Sequence, residues 1–472
     1  MRTRPLALAA LAILFSTAAL PAQERPVPPG VARFVSTSAR IVALTHVRVV
    51  DGTGQPARDD QTVVIRDDRI DAIGPAGTTP IPATARVLDL AGHTVIPGIV
   101  GLHQHTWFGG VRVSTPMAAS APLYLAMGVT SAMTAGTGFA YDELNLKRSV
   151  DADLFPGPRF EITGPYLVGG PQRPTTGQRI VTSAEEVRRT VAYWASEGAT
   201  WFKFLGSGTR AQLAAGIAEA HARGLKVTGH LCSVTFSEAA ALGIDLLQHG
   251  FITNSDYVPN KQPDVCPPDN MRAQADVDVS STAVQENIRQ IVARRSAVAS
   301  TLAVYETFIP ERARLDSAAM EMLTPATRRE VEANHAALAQ SAFTVPVRLL
   351  KKMMEWERAF VRAGGLLGAG CDPWGTGFLP GFGDLRNYEL LLEAGFSAEE
   401  SIQIMTLNGA RILGKEREVG SLAPGKIADL VVIRGNPVAT PRDIYGVVTV
   451  FKGGLGYDSA KLREFVKGRI GT

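Results

Sequence analysis

Six candidate metal ligands follow one another along the chain, each at or near the end of a short apolar run. In chain order they are His103, His105, Lys203, His230, His249 and Asp372. Imidazole nitrogens and carboxylate oxygens are ligands of zinc and related divalent ions. In a (β/α)8 barrel, catalytic groups collect at the carboxyl ends of the strands. The order and spacing of the six residues therefore predict a hydrolytic site with two metal ions at the mouth of such a barrel.

The four histidines are predicted to face the barrel interior. His103 and His105 are separated by one residue, and side chains alternate along a strand, so both point the same way. His230 and His249 each end an apolar run, in consecutive strand–helix units. A His-x-His pair alone indicates a metal site only weakly, because two histidines can occur at this spacing without any shared function. The two further histidines favour the metal site.

Lys203 and Asp372 each have two interpretations. Lys203 lies among the aromatic and aliphatic residues of 199–205, where a buried ammonium group is costly. It either extends its ammonium to solvent or reacts with CO₂ to form a carbamate that bridges two metals. Asp372 follows the apolar run 366–371. It either forms a turn before Pro373 or binds a metal and acts as general base and then general acid.

Strands and helices must alternate to place these groups together, and the pattern from 97 to 414 does alternate. Capping boxes at Ser183 and Ser397 mark two helix starts. The candidate strands are residues 99–103, 129–133, 159–163, 200–204, 226–230, 246–249, 298–304 and 366–371. Eight strands predict an α/β fold with a (β/α)8 TIM barrel. The excess length between His249 and Asp372 is assigned to two insertions, a rim loop at 254–278 and a helical stretch at 317–340.

The segments on either side of the barrel have a different sequence pattern. Short strands separated by Gly, Pro and Asp turns occur in residues 41–96 and return in residues 415–472. We expect these strands to form one small discontinuous β-sandwich, with the barrel of 97–414 inserted between its two parts. Residues 23–40 are rich in proline and weakly patterned, which predicts a linker.

The first residues have the pattern of a secretory signal. Arg2 and Arg4 precede the apolar run 6–15, and small residues follow it. A membrane anchor is the alternative, but about 20 apolar residues are needed to span a bilayer, and Pro21 and polar residues interrupt this run. We expect residues 1–22 to be a signal peptide, the mature protein to be periplasmic or secreted, and no stable membrane span to remain after cleavage.

Composition excludes some other classes. The formal net charge is +3 without a basic stripe, so nucleic acid is not an expected partner. The three cysteines, an odd and low number, do not predict a disulfide framework and allow at most one bridge. Cys232 follows His230 closely and either lines the pocket or is a small packing residue, the second being favoured. A homo-oligomer is left open.

Several stretches resemble the amidohydrolase superfamily, over nearly all of the mature length. They are residues 95–105, Lys203 in its strand, His230, His249, residues 370–372, 406–410 and, with the highest specificity, 420–431. The resemblance implies a binuclear centre with carbamylated Lys203 between the two ions, and the donor types suit zinc. It places His103, His105 and Asp372 on one ion and His230 and His249 on the other. The similarity is to the exported branch related to Xaa-Pro dipeptidases and imidazolonepropionase-like hydrolases.

The chain also departs from that family. The superfamily usually has Asp two residues before the first histidine, where this chain has Gly101, so a support for the ligands is expected to be missing. Dipeptidase-like members carry a tyrosine soon after the His230 position, where this chain has residues 231–233. Deaminases carry a glutamate at the position of Ser233, which argues against deamination.

The resulting prediction is a metal-dependent hydrolase that cleaves C–N bonds of small amides, such as N-acyl amino acids or proline dipeptides. A hydroxide held between the metals would attack, with Asp372 as general base and acid. Tyr166 and Arg173 are candidate substrate contacts, with solvated loop residues as the alternative. A lactone, ester or cyclic-amide hydrolase with the same centre is the enzyme alternative. An exported binding protein with a vestigial site is the non-enzyme alternative.

Overall fold

The computed structural model describes residues 22–106, 117–169, 178–341, 344–373 and 378–471. The predicted signal segment therefore lies almost wholly outside the described residues, and so does Arg173. The helices α1 to α16 are Pro29–Ala32, Met117–Ala126, Ala140–Asp151, Ala184–Glu197, Arg210–Ala222, Phe236–Leu242, Asn270–Ala273, Thr282–Ala293, Leu302–Glu306, Ser317–Met320, Pro325–Ala336, Val347–Arg362, Phe382–Glu393, Ala398–Gln403, Gly409–Leu413 and Ser459–Val466. Within these ranges, no helix is long and apolar enough to cross a membrane.

The strands fall into three groups along the chain. The first group, β1 to β6, is Val35–Thr37, Ile41–Val49, Arg58–Arg66, Arg69–Pro75, Arg86–Asp89 and His93–Pro97. The second group, β7 to β16, is Ile99–Gln104, Val129–Thr134, Arg159–Glu161, Tyr166–Gly169, Gln178–Val181, Trp201–Phe204, Lys226–Gly229, Leu246–Gln248, Ala297–Ser300 and Leu367–Ala369. The third group, β17 to β19, is Leu430–Arg434, Val447–Lys452 and Leu455–Asp458.

The two ends of the chain build one β domain. In the described part of the chain its nine strands have the order β1-β19-β18-β17-β6-β2-β3-β4, with β5 pairing with β2. N- and C-terminal strands meet where β6 and β17 pair antiparallel, with Val95 opposite Val432. Buried aliphatic residues such as Val42 and Leu430 form a separate core there. The predicted discontinuous β-sandwich is confirmed.

The segment predicted as a linker is part of this domain. Helix α1 begins at Pro29, and β1 pairs antiparallel with β19, with Val35 opposite Tyr457. Phe34 is buried and joins the main core. The linker prediction is therefore wrong for residues 29–37. The proline-rich composition hid a short strand whose partner lies more than 400 residues away.

The middle strands form the barrel. Parallel pairing joins β7 to β8 and β9, and joins β12, β13, β14, β15 and β16 in succession. The bridge between Thr163 and Trp201 links the two sets. On the other side, the amide of Asp372 donates to the carbonyl oxygen of His103 over 2.8 Å. The predicted eight-stranded barrel is confirmed, and the side chains after its strands meet at one mouth.

Two details of the barrel differ from the prediction. The seventh strand, predicted as 298–304, ends at Ser300, and α9 begins at Leu302. A short buried apolar run suits a strand and a buried helix equally, so hydrophobic pattern does not separate them. In addition, two strands that lie between β9 and β12 in the sequence extend the sheet. Strand β10 pairs with β12, and β11 pairs with β10.

The two predicted insertions are present. The rim segment 254–278 contains a 3₁₀ turn at Ser255–Tyr257 and α7. A disulfide joins Cys266 of this segment to Cys232, which follows the fifth barrel strand. Cys232 is buried, as expected of a packing residue, and it also forms the one bridge that the number of cysteines allowed. The second insertion, 317–340, contains α10 and α11, as predicted.

Candidate metal centre

Three of the predicted ligands form a compact cluster at the barrel mouth. His103 lies in β7, His105 follows it, and Asp372 follows β16. Asp372 Oδ2 is 3.5 Å from His103 Nε2, and Asp372 Oδ1 is 3.2 Å from His105 Nε2. One ligand atom from each residue lies within 4.8 Å of the others. A single divalent ion can therefore contact all three.

The remaining predicted ligands surround this cluster. Lys203 Nζ lies 3.3 Å from His103 Nε2. The ring of His249 lies 4.5 Å from the ring of His103 and 4.5 Å from that of His230, measured between centroids. The structure thus brings all six residues together from five strands, β7, β12, β13, β14 and β16, or from positions shortly after them. Four imidazoles, a carboxylate and a lysine in one place are enough donors for two ions.

Burial favours the neutral form of Lys203, His103, His230 and His249 by lowering their pKa values. It lowers the pKa of Lys203 to about 7 and that of His230 to about 4, with the Lys203 charge adding to the second effect. It also lowers the pKa values of His103 and His249 well below their usual range, and the neighbouring positive groups act in the same direction. Neutral imidazole is the form that binds metal. Neutral amine is the form of Lys203 that can react with CO₂.

The backbone is strained where two of these residues enter the mouth. His249 has φ 68° and Asp372 has φ 47°, in the left-handed region that costs residues other than glycine about 1 kcal/mol or more. Gly370 permits the close approach of β16 to β7, since a Cβ there would lie 2.2 Å from the His103 amide nitrogen. Such strain is typical of functional sites, where the surrounding structure imposes it.

Two hydrogen bonds orient the imidazoles, and sequence reasoning missed both partners. Gln248 Oε1 lies 2.7 Å from His103 Nδ1, so a proton on Nδ1 leaves Nε2 to face the cluster. Thr301 Oγ1 lies 2.8 Å from His249 Nδ1. The buried Nε2 of His249 has no hydrogen-bond partner among the described residues. An unpartnered buried nitrogen on a ring that lies beside the ligand cluster fits a metal ion. Polar Gln248 within an apolar strand was the available signal for the first of these hydrogen bonds.

Gly101 leaves room for a different polar group. A Cβ at Gly101 would lie 1.9 Å from Gln104 Nε2. That amide donates to Asp384 over 2.6 Å, and Gln104 Oε1 accepts from Cys371 Sγ at 3.0 Å. Cys371 is thus linked through Gln104 to Asp384 of α13. The support expected to be missing at Gly101 is supplied to His103 from another strand, by Gln248.

Two tyrosines flank the cluster. The ring centroid of Tyr166, a predicted substrate contact, is 6.4 Å from that of His105. Tyr305, which sequence reasoning missed, packs perpendicular to His249 at 5.5 Å. Burial and the charge of Asp372 raise the pKa of both phenols well above the usual value. Both therefore remain protonated hydrogen-bond donors at neutral pH.

Known proteins resemble this chain over part of its sequence and nearly all of its fold. The model of the amidohydrolase family matches residues 383–456. The structure of a Bifidobacterium longum protein assigned as a prolidase covers 90% of this chain and 99% of its own, with a TM-score of 0.67 and 25% identity. The carboxyl-terminal part of the chain thus matches the amidohydrolase family, and the fold as a whole is similar to that of this solved structure.

Other relatives are more distant or match over a shorter length. A Xaa-Pro dipeptidase solved with methionine in its active site covers 89% of this chain and 100% of its own, with 18% identity and a TM-score of 0.66, and it shows the fold. Adenine deaminase 2 of Jannaschia sp. is 37% identical over 93 residues, 17% of this chain and 15% of that protein. Imidazolonepropionase of Streptomyces griseus is 33% identical over 112 residues, 22% of this chain and 28% of that protein. The chain thus matches less than a third of the length of these curated relatives.

Proposed function

We propose that this protein is a metal-dependent enzyme that hydrolyses carbon–nitrogen bonds in small amides, with dipeptides and N-acyl amino acids as the substrate class. The observation that carries the proposal is the cluster of His103, His105 and Asp372, whose ligand atoms lie within 4.8 Å of one another. The unpartnered Nε2 of His249 beside it supports a second ion.

Each residue of the centre has an assigned task. His103, His105 and Asp372 would hold one ion, and His230 and His249 the other. A carbamate on Lys203 would lie between them and supply negative charge. Zinc suits this donor set. Bound divalent ions would lower the pKa of water and polarise a substrate carbonyl.

Asp372 is the residue placed to move the proton. Its side chain is 15% exposed, whereas those of His103, His105 and His249 are 1–4% exposed. The carboxylate therefore reaches the open side of the cluster, where water and substrate enter. In this role it accepts a proton from the attacking water and returns it to the leaving nitrogen.

The substrate class follows from the chemistry of the centre and from its neighbours. The dipeptidase of similar fold holds methionine in its active site, which supports a small ligand with an amino-acid part. Ser233, at the position of the deaminase glutamate, donates its hydroxyl to the Gly208 carbonyl, so it is not free to act as that acid would. This supports hydrolysis of an amide over deamination.

We also propose that the protein is exported. The signal-like pattern of residues 1–22 is the first reason. The Cys232–Cys266 disulfide is the second, because structural disulfides persist mainly in oxidising compartments. Cell fractionation with cleavage-site sequencing of the mature protein tests this, and a cytoplasmic protein that retains Met1 would contradict it.

Metal analysis combined with a substrate screen tests the enzymatic proposal. We expect about two divalent ions per chain and hydrolysis of members of a panel of Xaa-Pro dipeptides, N-acyl amino acids, lactones and esters. Asp372→Asn and His103→Ala should each lose activity about 100-fold or more. His335→Ala is the matched control. His335 lies on α11, away from the mouth, and its Nε2 contacts the Ala313 carbonyl oxygen. A metal-free protein, or full activity in Asp372→Asn, would exclude the proposal; turnover of lactones alone would select the alternative substrate class.

A further inference from the structure

The segment after the fifth barrel strand does not offer a donor for the substrate carbonyl. Cys232 is held in the disulfide, and the Ser233 hydroxyl donates to the Gly208 carbonyl. Leu231 is buried and apolar. Attack on an amide moves negative charge onto the carbonyl oxygen, and a positioned donor that meets this charge is a large part of catalysis. Another part of the mouth must therefore supply such a donor, or the metals act alone.

Tyr305 has the required placement. It lies on α9, directly beyond the seventh strand, and its ring stands perpendicular to His249 at 5.5 Å. Its side chain is almost completely buried, with the ring against that of His249.

The helix that carries Tyr305 is hydrogen-bonded through Asn387 to the segment that follows β16 and contains Asp372. Asn387 accepts a hydrogen bond from the Ala303 amide over 2.9 Å and donates to the Gly370 carbonyl over 2.7 Å. One side chain thus connects the start of α9 with a residue two positions before Asp372. Precise placement by a rigid, hydrogen-bonded support is what a donor to a transition state needs.

A buried ion-pair network holds the other end of α9. Glu306, next to Tyr305, is bound by Arg386 and Arg312, each at 2.7 Å. Tyr166, by comparison, is only partly buried, and residues 170–177, which follow it closely in the sequence, are outside the described ranges. Tyr305 is therefore the better-fixed of the two phenols.

We propose that Tyr305 donates its hydroxyl hydrogen bond to the substrate carbonyl oxygen as that oxygen becomes negatively charged. This assignment rests on the proposed function, since it requires a carbonyl to be attacked at the metal centre. The hydroxyl is a hydrogen-bond donor and does not transfer its proton.

Methylphosphonate binding tests the role without a known substrate, because this anion presents tetrahedral oxygens like those of the attacked carbonyl. Calorimetric titration of the zinc-loaded protein should show about 10- to 100-fold weaker methylphosphonate binding in Tyr305→Phe, and acetate binding changed less than about threefold. Zinc content should be unchanged. Tyr388→Phe is the matched control, since the buried Tyr388 hydroxyl bonds the Pro437 carbonyl outside the mouth.

The outcomes separate this assignment from the hydrolase proposal. On any amide that the screen identifies, Tyr305→Phe should lower kcat about 100- to 1,000-fold and leave KM within about threefold. Wild-type methylphosphonate affinity in Tyr305→Phe, an equal loss in Tyr166→Phe or Tyr388→Phe, loss of zinc, or no methylphosphonate binding by wild type would each overturn the assignment. Failure of the substrate screen alone would strike the hydrolase proposal, while the methylphosphonate comparison would still decide the role of Tyr305.

Discussion

Replacing Gln248 with methionine should weaken metal binding without unfolding the barrel. Gln248 is fully buried in β14, with Oε1 2.7 Å from His103 Nδ1 and Nε2 donating to Thr228 Oγ1 over 2.8 Å. Methionine has a similar volume and makes neither bond. His103 Nδ1 would then be buried without a partner, and the ring would be free to turn its Nε2 away from the cluster.

The size of the effect follows from these contacts. Leaving a buried donor unpaired costs about 1–3 kcal/mol. Since about 1.4 kcal/mol is a tenfold change in affinity, zinc binding should weaken roughly 5- to 150-fold. This agrees with the 10- to 100-fold loss expected when a partner of a metal-binding histidine is removed. Gln248→Glu keeps an acceptor for His103 Nδ1, so its zinc affinity should stay much closer to that of wild type.

Competition with a chelator measures the zinc affinity of each variant, and metal analysis gives the number of ions bound. Gln274→Met is the matched control, because Gln274 is also a fully buried amide but bonds the Ile252 carbonyl. The reasoning is refuted if Gln248→Met binds zinc as tightly as wild type, or if Gln274→Met loses as much affinity as Gln248→Met.

Two further predictions concern stability. Burial raises the pKa of Glu357 from 4.5 to about 8. The contribution of this side chain to the stability of the folded protein is therefore complete below about pH 4.5 and is lost as pH rises through about 8. Glu357→Gln, which cannot ionise, should therefore raise the melting temperature more at pH 8 than at pH 5, and equal shifts at both pH values would contradict this. The Cys232–Cys266 disulfide spans a sequence separation of 34, so a Cys232→Ser/Cys266→Ser double variant should lose about 4 kcal/mol in the free energy of unfolding. Denaturant titration checks this, and unchanged stability would indicate that the rim segment is held by its other contacts.

The local pattern of apolar and polar residues was enough to predict the barrel and to select its six candidate ligands. Apolar runs ended by polar residues mark strand ends, and a parallel barrel brings all strand ends to one face. The order of His103, Lys203, His230, His249 and Asp372 was therefore informative before any coordinates. Local pattern failed at residues 298–304, because a buried helix and a buried strand have the same apolar composition.

Contacts between distant residues could not be predicted in this way. Gln248 and His103 are 145 positions apart, and their hydrogen bond depends on how β14 lies beside β7. Tyr305 reaches the mouth because the chain turns into α9 directly after Ser300. The disulfide partner of Cys232 likewise depended on the path of the rim segment.

The sequence alone determined which chemical groups stand at the ends of the strands, because alternation along a strand and the polarity of a buried run are local properties. Only the tertiary structure decided which of these groups touch, which imidazole nitrogen each partner leaves exposed, and which tyrosine lies over the cluster. Those relations depend on strand register, helix placement and backbone angles such as the left-handed φ of His249 and Asp372. They arise from the packing of the whole barrel.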